Sequence, residues 1–255
     1  MLRQYQSTQL VVGVHQRQTL SLKGVKGVGR VAKVYSLDKS AIAQHACELL
    51  QEALLDAIRL HGHARLAISG GSATSPLPLL RKTLGSDWQR TKLTWVDERC
   101  VDYNDPTSNR GTLYRDGGLS ENDMPSFELA LWHDGETPER ATARVDRVLR
   151  DEFAGALDVA LLGMGADGHI ASLFPGRAPT HGKSGRVAYV ADSPKPPPQR
   201  MTLSLPFLRK TSHCFLIAMG EAKRDVVERV VAGDPKLPAS ALVNLTILTD
   251  IELEH

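Results

Sequence analysis

Four short apolar runs recur along the chain: RLAIS at 65–69, KLTWV at 92–96, LDVALL at 157–162 and HCFLIAMG at 213–220. Each ends in glycine or charged turn residues, which is how buried strands read. Between them lie stretches with helical spacing. Residues 40–60 place Ala41, Ile42, Ala46, Leu49, Leu50, Leu54 and Ile58 on one side, and 137–153 do the same with Val145, Val148 and Leu149. PLPLLRKTL and 221–231 are further helices, while 187–190 and MTLSLPFL carry weaker strand signals. Strands that alternate with helices pack best as a mostly parallel sheet covered on both faces, an α/β fold.

At 255 residues, 42% of them hydrophobic, the chain can bury the core of one large domain. Its formal net charge of +2, without a dense Lys/Arg block, gives no ground for nucleic acid as a partner. No apolar stretch approaches the roughly 20 residues that span a bilayer, so no membrane association is expected. Cys47, Cys100 and Cys214 are scattered without metal-ligand or disulfide spacing, which fits a reducing compartment and a cytoplasmic location. His61-Gly62-His63 has no nearby carboxylate and is not read as a metal pair; no metal and no cofactor are expected. Residues 1–37 contain no Asp or Glu but several Lys and Arg. That composition is one mark of a transit peptide, whereas the alternation in QTLSLKGVKGVGRVAKVY reads as an N-terminal arm or strand pair. Leu253-Glu254-His255 resembles an expression-tag remnant.

Three loops leave strand ends and converge on one edge of such a sheet: Gly70-Gly71-Ser72, Asp97-Glu98-Arg99, and Gly165 to His169. A fourth loop, SPKPPPQR, is stiffened by its prolines and carries Lys195 and Arg200. Together they offer backbone donors, cations, a carboxylate and one imidazole. No GxGxxG follows the first strand, so a small phosphorylated molecule suits this set better than a dinucleotide.

The run LLGMGADGHIASLFPG reads as strand, glycine-rich loop and helix start. A helix N-terminus beside His169 would keep the imidazole neutral and able to accept a proton. Asp167 would hydrogen-bond the ring or cap the helix. The plainer alternatives are an ordinary structural histidine, a surface ion pair at Arg99, and solvated charges at Lys195 and Arg200. Cys100 reads as a small buried residue, and Trp88, Trp95 and Trp132 as packing.

The blocks ISGGSATSPLPL, WVDERCVDYNDPTSNRG, LLGMGADGHIASLFPG, DSPKPPPQRMTLSLPFL and LPAS, in that order over about residues 41–242, resemble the 6-phosphogluconolactonase family. The resemblance implies a three-layer α/β/α sandwich with a mostly parallel central sheet, like ribose-5-phosphate isomerase and the CoA transferases. It also implies hydrolysis of 6-phospho-D-glucono-1,5-lactone to 6-phospho-D-gluconate in the oxidative pentose phosphate pathway. Residues 1–33 then form a basic arm outside the resemblance, 34–252 a single lactonase domain, and 253–255 the tag remnant. SGGSATSP is longer than the family's usual SGGSTP, and Asp102 stands where a proline is common.

On this reading His169 is the general base and Asp167 its partner, with no metal or covalent nucleophile. Gly70, Gly71 and Ser72 hold the phosphate with Lys195 and Arg200; Arg99 lies at the phosphate or sugar end, and Asp97 places Arg99 or a hydroxyl. The substrate is the one expected partner, for a monomer or small homo-oligomer. The glucosamine-6-phosphate deaminase family shares DGHIA but carries a glutamate before the proline where Phe174 stands here. A non-catalytic sugar-phosphate sensor is the other alternative.

Overall fold

A computed structural model describes residues 19–21, 32–177 and 185–253. In chain order the strands are β1 (Thr19–Ser21), β2 (Lys33–Ser36), β3 (Ala64–Ile68), β4 (Thr91–Trp95), β5 (Asp97–Arg99), β6 (Phe127–Leu129), β7 (Val159–Gly163), β8 (Val187–Val190), β9 (Arg200–Leu203), β10 (His213–Ala218) and β11 (Leu245–Thr249). The helices are α1 (Lys39–His61), α2 (Leu77–Leu84), α3 (Asn109–Asp116), α4 (Pro138–Asp151), α5 (Leu205–Leu208) and α6 (Arg224–Val231).

The main sheet runs β1-β2-β11-β10-β7-β3-β4-β6, and every pairing is parallel except the antiparallel edge pair β1–β2. The parallel α/β architecture expected from the apolar runs is therefore observed. Its central strands are buried on both faces: Leu66, Ala67, Ile68, Val159, Ala160, Leu161 and Leu162 are wholly inaccessible. α1 lies across β3, β7, β10 and β11. Its buried stripe of Ile42, Ala46, Leu50, Leu54, Ala57 and Ile58 follows the helical period, and it stops at Gly62, whose φ of 80° closes a left-handed cap onto the Ile58 carbonyl. The strand pair suggested near the N-terminus is present where Thr19 faces Tyr35 and Ser21 faces Lys33. The rest of the basic arm, residues 1–18 and 22–31, lies outside the described residues, as do Glu254 and His255; Leu253 packs against the core.

Two local readings are corrected. Residues 97–99 are not a loop: they form β5, which pairs with β9 in a second, antiparallel sheet of order β5-β9-β8. Val96 is the junction, donating its N–H to Ile68 O in the main sheet at 2.8 Å and accepting from Leu203 N in the small one at 2.7 Å. No helix follows His169 either. Ile170 bridges to both Met164 and Leu173, and Ala171 has a φ of 51°, so the apolar residues after the glycine loop fold as bridged turns.

Candidate active site

The segment after β7 turns back on itself at once. Gly165 N–H donates to His169 O at 2.9 Å, Gly168 N–H donates to Gly165 O at 2.9 Å, and Gly168 adopts a φ of 83°. This brings Asp167 Oδ1 to 2.5 Å from His169 Nδ1. A Cβ on Gly165 would fall 2.2 Å from His169 Cε1 and 2.6 Å from Asp167 Oδ1, so the glycine makes the space that the pair occupies. Phe174 packs on the imidazole at 4.8 Å between ring centroids.

Without a following helix, the macrodipole cannot be what keeps His169 neutral. Burial pushes the imidazole below its usual pKa; Asp167 pulls the other way, and Lys195 adds to the depression. Burial raises the Asp167 carboxyl, but its bonds to His169 and Lys195 carry it below the usual carboxylate range. An ionised Asp167 favours the tautomer that donates Nδ1–H to it, in which Nε2 carries the free lone pair. Asp167 has no helix to cap; it orients the ring.

β3 delivers Ser69 and Gly70 to the same edge, followed by a 3₁₀ turn, Gly71–Thr74, that precedes α2. Gly71 has a φ of 68°, and a Cβ on Gly70 would lie 2.1 Å from Asn109 Oδ1. Glycine at 70 thus lets the start of α3 close against the loop after β3. Asn109 Nδ2 donates to Asp97 O at 2.9 Å, while Ser172 Oγ donates to Asp97 Oδ2 at 2.7 Å.

Arg200 is a buried bracket, 3% exposed, and not a solvated charge. Its Nη1 lies 4.0 Å from Asp97 Oδ2 and donates to Ser172 Oγ at 3.4 Å. Its remaining donors bind the carbonyls of Lys195, Pro196 and Pro197. The proline loop was expected to hold Arg200; Arg200 holds the loop, because a buried guanidinium must find acceptors. Burial lowers the Arg200 pKa against the raising effect of Asp97. Lys195 Nζ lies 3.3 Å from Asp167 Oδ2. Arg99 Nη1 binds Thr107 O at 2.5 Å, while its Nε is buried with no hydrogen-bond partner.

These groups enclose a cavity of about 220 Å³ whose walls include Gly70, Gly71, Ser72, Asp97, Arg99, His169 and Arg200. Asn109 and Lys223 also line it, and neither stands out in the sequence. A signal for Lys223 exists: it follows Gly220 at the end of β10, one more strand-end loop on the same edge. Burial depresses its pKa, with Asp250 opposing and Lys195 adding. Among the other candidates, Cys100 is no activated thiol, since burial and the nearby Glu98 push it up to about 12. Trp88 and Trp95 are core residues.

A cavity of this size admits one small molecule, and Arg99, Arg200 and Lys223 on its walls favour an anionic one facing a neutral imidazole. Fold and site together define an α/β protein with a cation-walled cavity at the strand-end edge of its parallel sheet. The chain belongs to the family described as glucosamine-6-phosphate isomerases/6-phosphogluconolactonase, whose model matches residues 37–248. It is 35% identical over 191 residues to 6-phosphogluconolactonase of Rattus norvegicus, covering 71% of this chain and 74% of the relative. To "Probable 6-phosphogluconolactonase 3, chloroplastic" of Oryza sativa subsp. indica it is 32% identical over 204 residues, 74% of this chain. It spans only 61% of the length of that rice relative. The crystal structure of a 6-phosphogluconolactonase from Shewanella baltica superposes with a TM-score of 0.72 at 25% identity, covering 85% of this chain and 97% of that one.

Proposed function

We propose that this protein hydrolyses 6-phospho-D-glucono-1,5-lactone to 6-phospho-D-gluconate, the second step of the oxidative pentose phosphate pathway. The observation that carries the reading is the His169–Asp167 pair facing a cavity with cationic walls and no second carboxylate at position 174. A lactone is an activated ester, so one positioned base suffices. His169 Nε2 takes a proton from water as the oxygen attacks C1, forming a tetrahedral oxyanion. The bond from C1 to the ring oxygen then breaks, the proton held on His169 passes to that departing oxygen, and the carboxylic acid left at C1 releases its proton to solvent. The imidazolium formed in between is stabilised by Asp167.

In this assignment the phosphate lies against Gly70, Gly71 and Ser72, with Lys223 and Arg99 as the cations at hand. Lys195, whose side chain is 45% exposed, joins them by leaving Asp167. Arg200 contributes its charge and rigidity from below. Binding energy at the remote phosphate orients C1 over the water.

The decisive experiment is turnover of freshly prepared lactone above its spontaneous hydrolysis. His169→Ala should lower kcat by about two to four orders of magnitude, the range for a lost general base. Binding without turnover by the wild-type protein would leave a sugar-phosphate sensor and sink the hydrolase. The isomerase activity in the family's description needs a titrating group where Phe174 stands; release of ammonia from glucosamine 6-phosphate would reverse that judgement. We place the reaction in the cytoplasm, where a reducing environment suits the free thiols of Cys47, Cys100 and Cys214. Cell fractionation checks this.

A further inference from the structure

Glu98 stands between two residues of the cavity wall, yet its own side chain faces away, because alternate residues of β5 point to opposite sides. It is 4% exposed. A carboxylate so buried is costly unless its oxygens are saturated by donors. Four donors meet them, although burial still pushes the carboxyl up to about 7: Oε1 accepts the N–H of Arg99 at 2.7 Å and of Asn109 at 2.7 Å, while Oε2 accepts the N–H of Arg110 at 2.8 Å and Ser108 Oγ at 3.3 Å. One carboxylate therefore ties β5 to the first residues of α3 and closes the loop between them. Three consequences reach the cavity. Arg99 is held by its backbone, Asn109 is set against Gly70, and Asn109 Nδ2 holds the backbone carbonyl of Asp97.

We propose that Glu98 is a positioning residue for the candidate active site: its carboxylate clamps the start of α3 onto β5 and thereby places Arg99, Asn109 and the glycine turn at Gly70 for substrate binding. The assignment rests on the hydrolase reading for its kinetics, but not for its geometry. Nothing in the clamp touches His169 or Asp167, so its loss acts on binding and not on the chemical step. Glutamine is the informative replacement. It keeps one acceptor oxygen but turns an NH₂ group toward donors that the second oxygen now satisfies.

Glu98→Gln should raise KM for the phosphorylated lactone by about 10- to 100-fold, the scale of one charge-assisted hydrogen bond lost from binding, and leave kcat within about threefold. In the same protein, hydrogen exchange of the backbone amides of Arg99, Asn109 and Arg110 should accelerate, with β7 and β10 unchanged. Binding of 6-phosphogluconate, followed by calorimetry, should weaken in parallel with KM. If the wild-type protein lacks lactonase turnover, the hydrolase reading fails alone, and exchange and calorimetry still judge the clamp. Unchanged exchange and unchanged binding in Glu98→Gln overturn it, as does a loss confined to kcat. Should Glu98→Gln not fold, Glu98→Asp shortens the clamp by one methylene, and faster exchange at the Arg99, Asn109 and Arg110 amides is then required.

Discussion

Gly165 lacks a side chain where the His169–Asp167 pair needs room, and that one absence links local backbone to chemistry. Gly165→Ala should displace the imidazole, lowering kcat by about 100-fold while the melting temperature changes little; both are read on the same preparation. The pH profile tests the pair itself. A base must be neutral to act, so activity should fall on the acid side as pH drops through the depressed His169 pKa. Asp167→Asn removes a raising influence and should move that acid limb to lower pH, with reduced kcat. Lys195→Ala removes a lowering influence and should move it to higher pH. An acid limb that moves to higher pH in Asp167→Asn, or to lower pH in Lys195→Ala, would show that His169 is not the titrating base. His169 was legible from its glycine-rich setting, but its reason for staying neutral was not: a helix dipole is a matter of sequence neighbours, burial a matter of the whole fold.

At the scale of elements, apolar runs located β3, β4, β7 and β10 to within about two residues, because strands buried on both faces leave a continuous signal, whereas the parallel strands β6 and β11 went unread. β5 escaped that rule. Asp97, Glu98 and Arg99 look like a charged turn, and they form a strand only because β9 supplies partners from a distant part of the chain and buried donors meet both carboxylates. The residues after His169 failed the other way, since ASLF fits a helical period but Ile170 is captured by bridges on both sides. At the opposite end of the sheet from the site, Asp158 accepts two bonds from the Arg65 guanidinium, at 2.9 and 2.6 Å, plus the Arg65 N–H at 2.8 Å. Both side chains are largely buried. Asp158→Ala should cost about 3 kcal/mol in urea unfolding, the lower end for breaking a buried pair, without altering KM. A change in KM with normal stability would refute this division between framework and site.

For the whole molecule, a net charge of +2 conceals a local concentration of cations at one sheet edge. Selectivity should follow from that concentration. Glucono-1,5-lactone without its phosphate should show kcat/KM lower by about two orders of magnitude or more, as charge-assisted hydrogen bonds of about 1.5–3 kcal/mol each are lost. EDTA should leave the rate unchanged; restoration by zinc after a loss would replace the water-activation scheme with metal-assisted hydrolysis. The sequence by itself determined the parallel α/β architecture and the loops that bring His169 to the cavity, since hydrophobic period and glycine placement are local properties. Only the tertiary structure decided the partners. It paired Lys195 with Asp167, buried Arg200 as a bracket for the proline loop, brought Lys223 and Asn109 into the cavity, and turned Glu98 into a clamp. Those outcomes depend on which charges are stripped of water together, and no spacing along a chain encodes that directly.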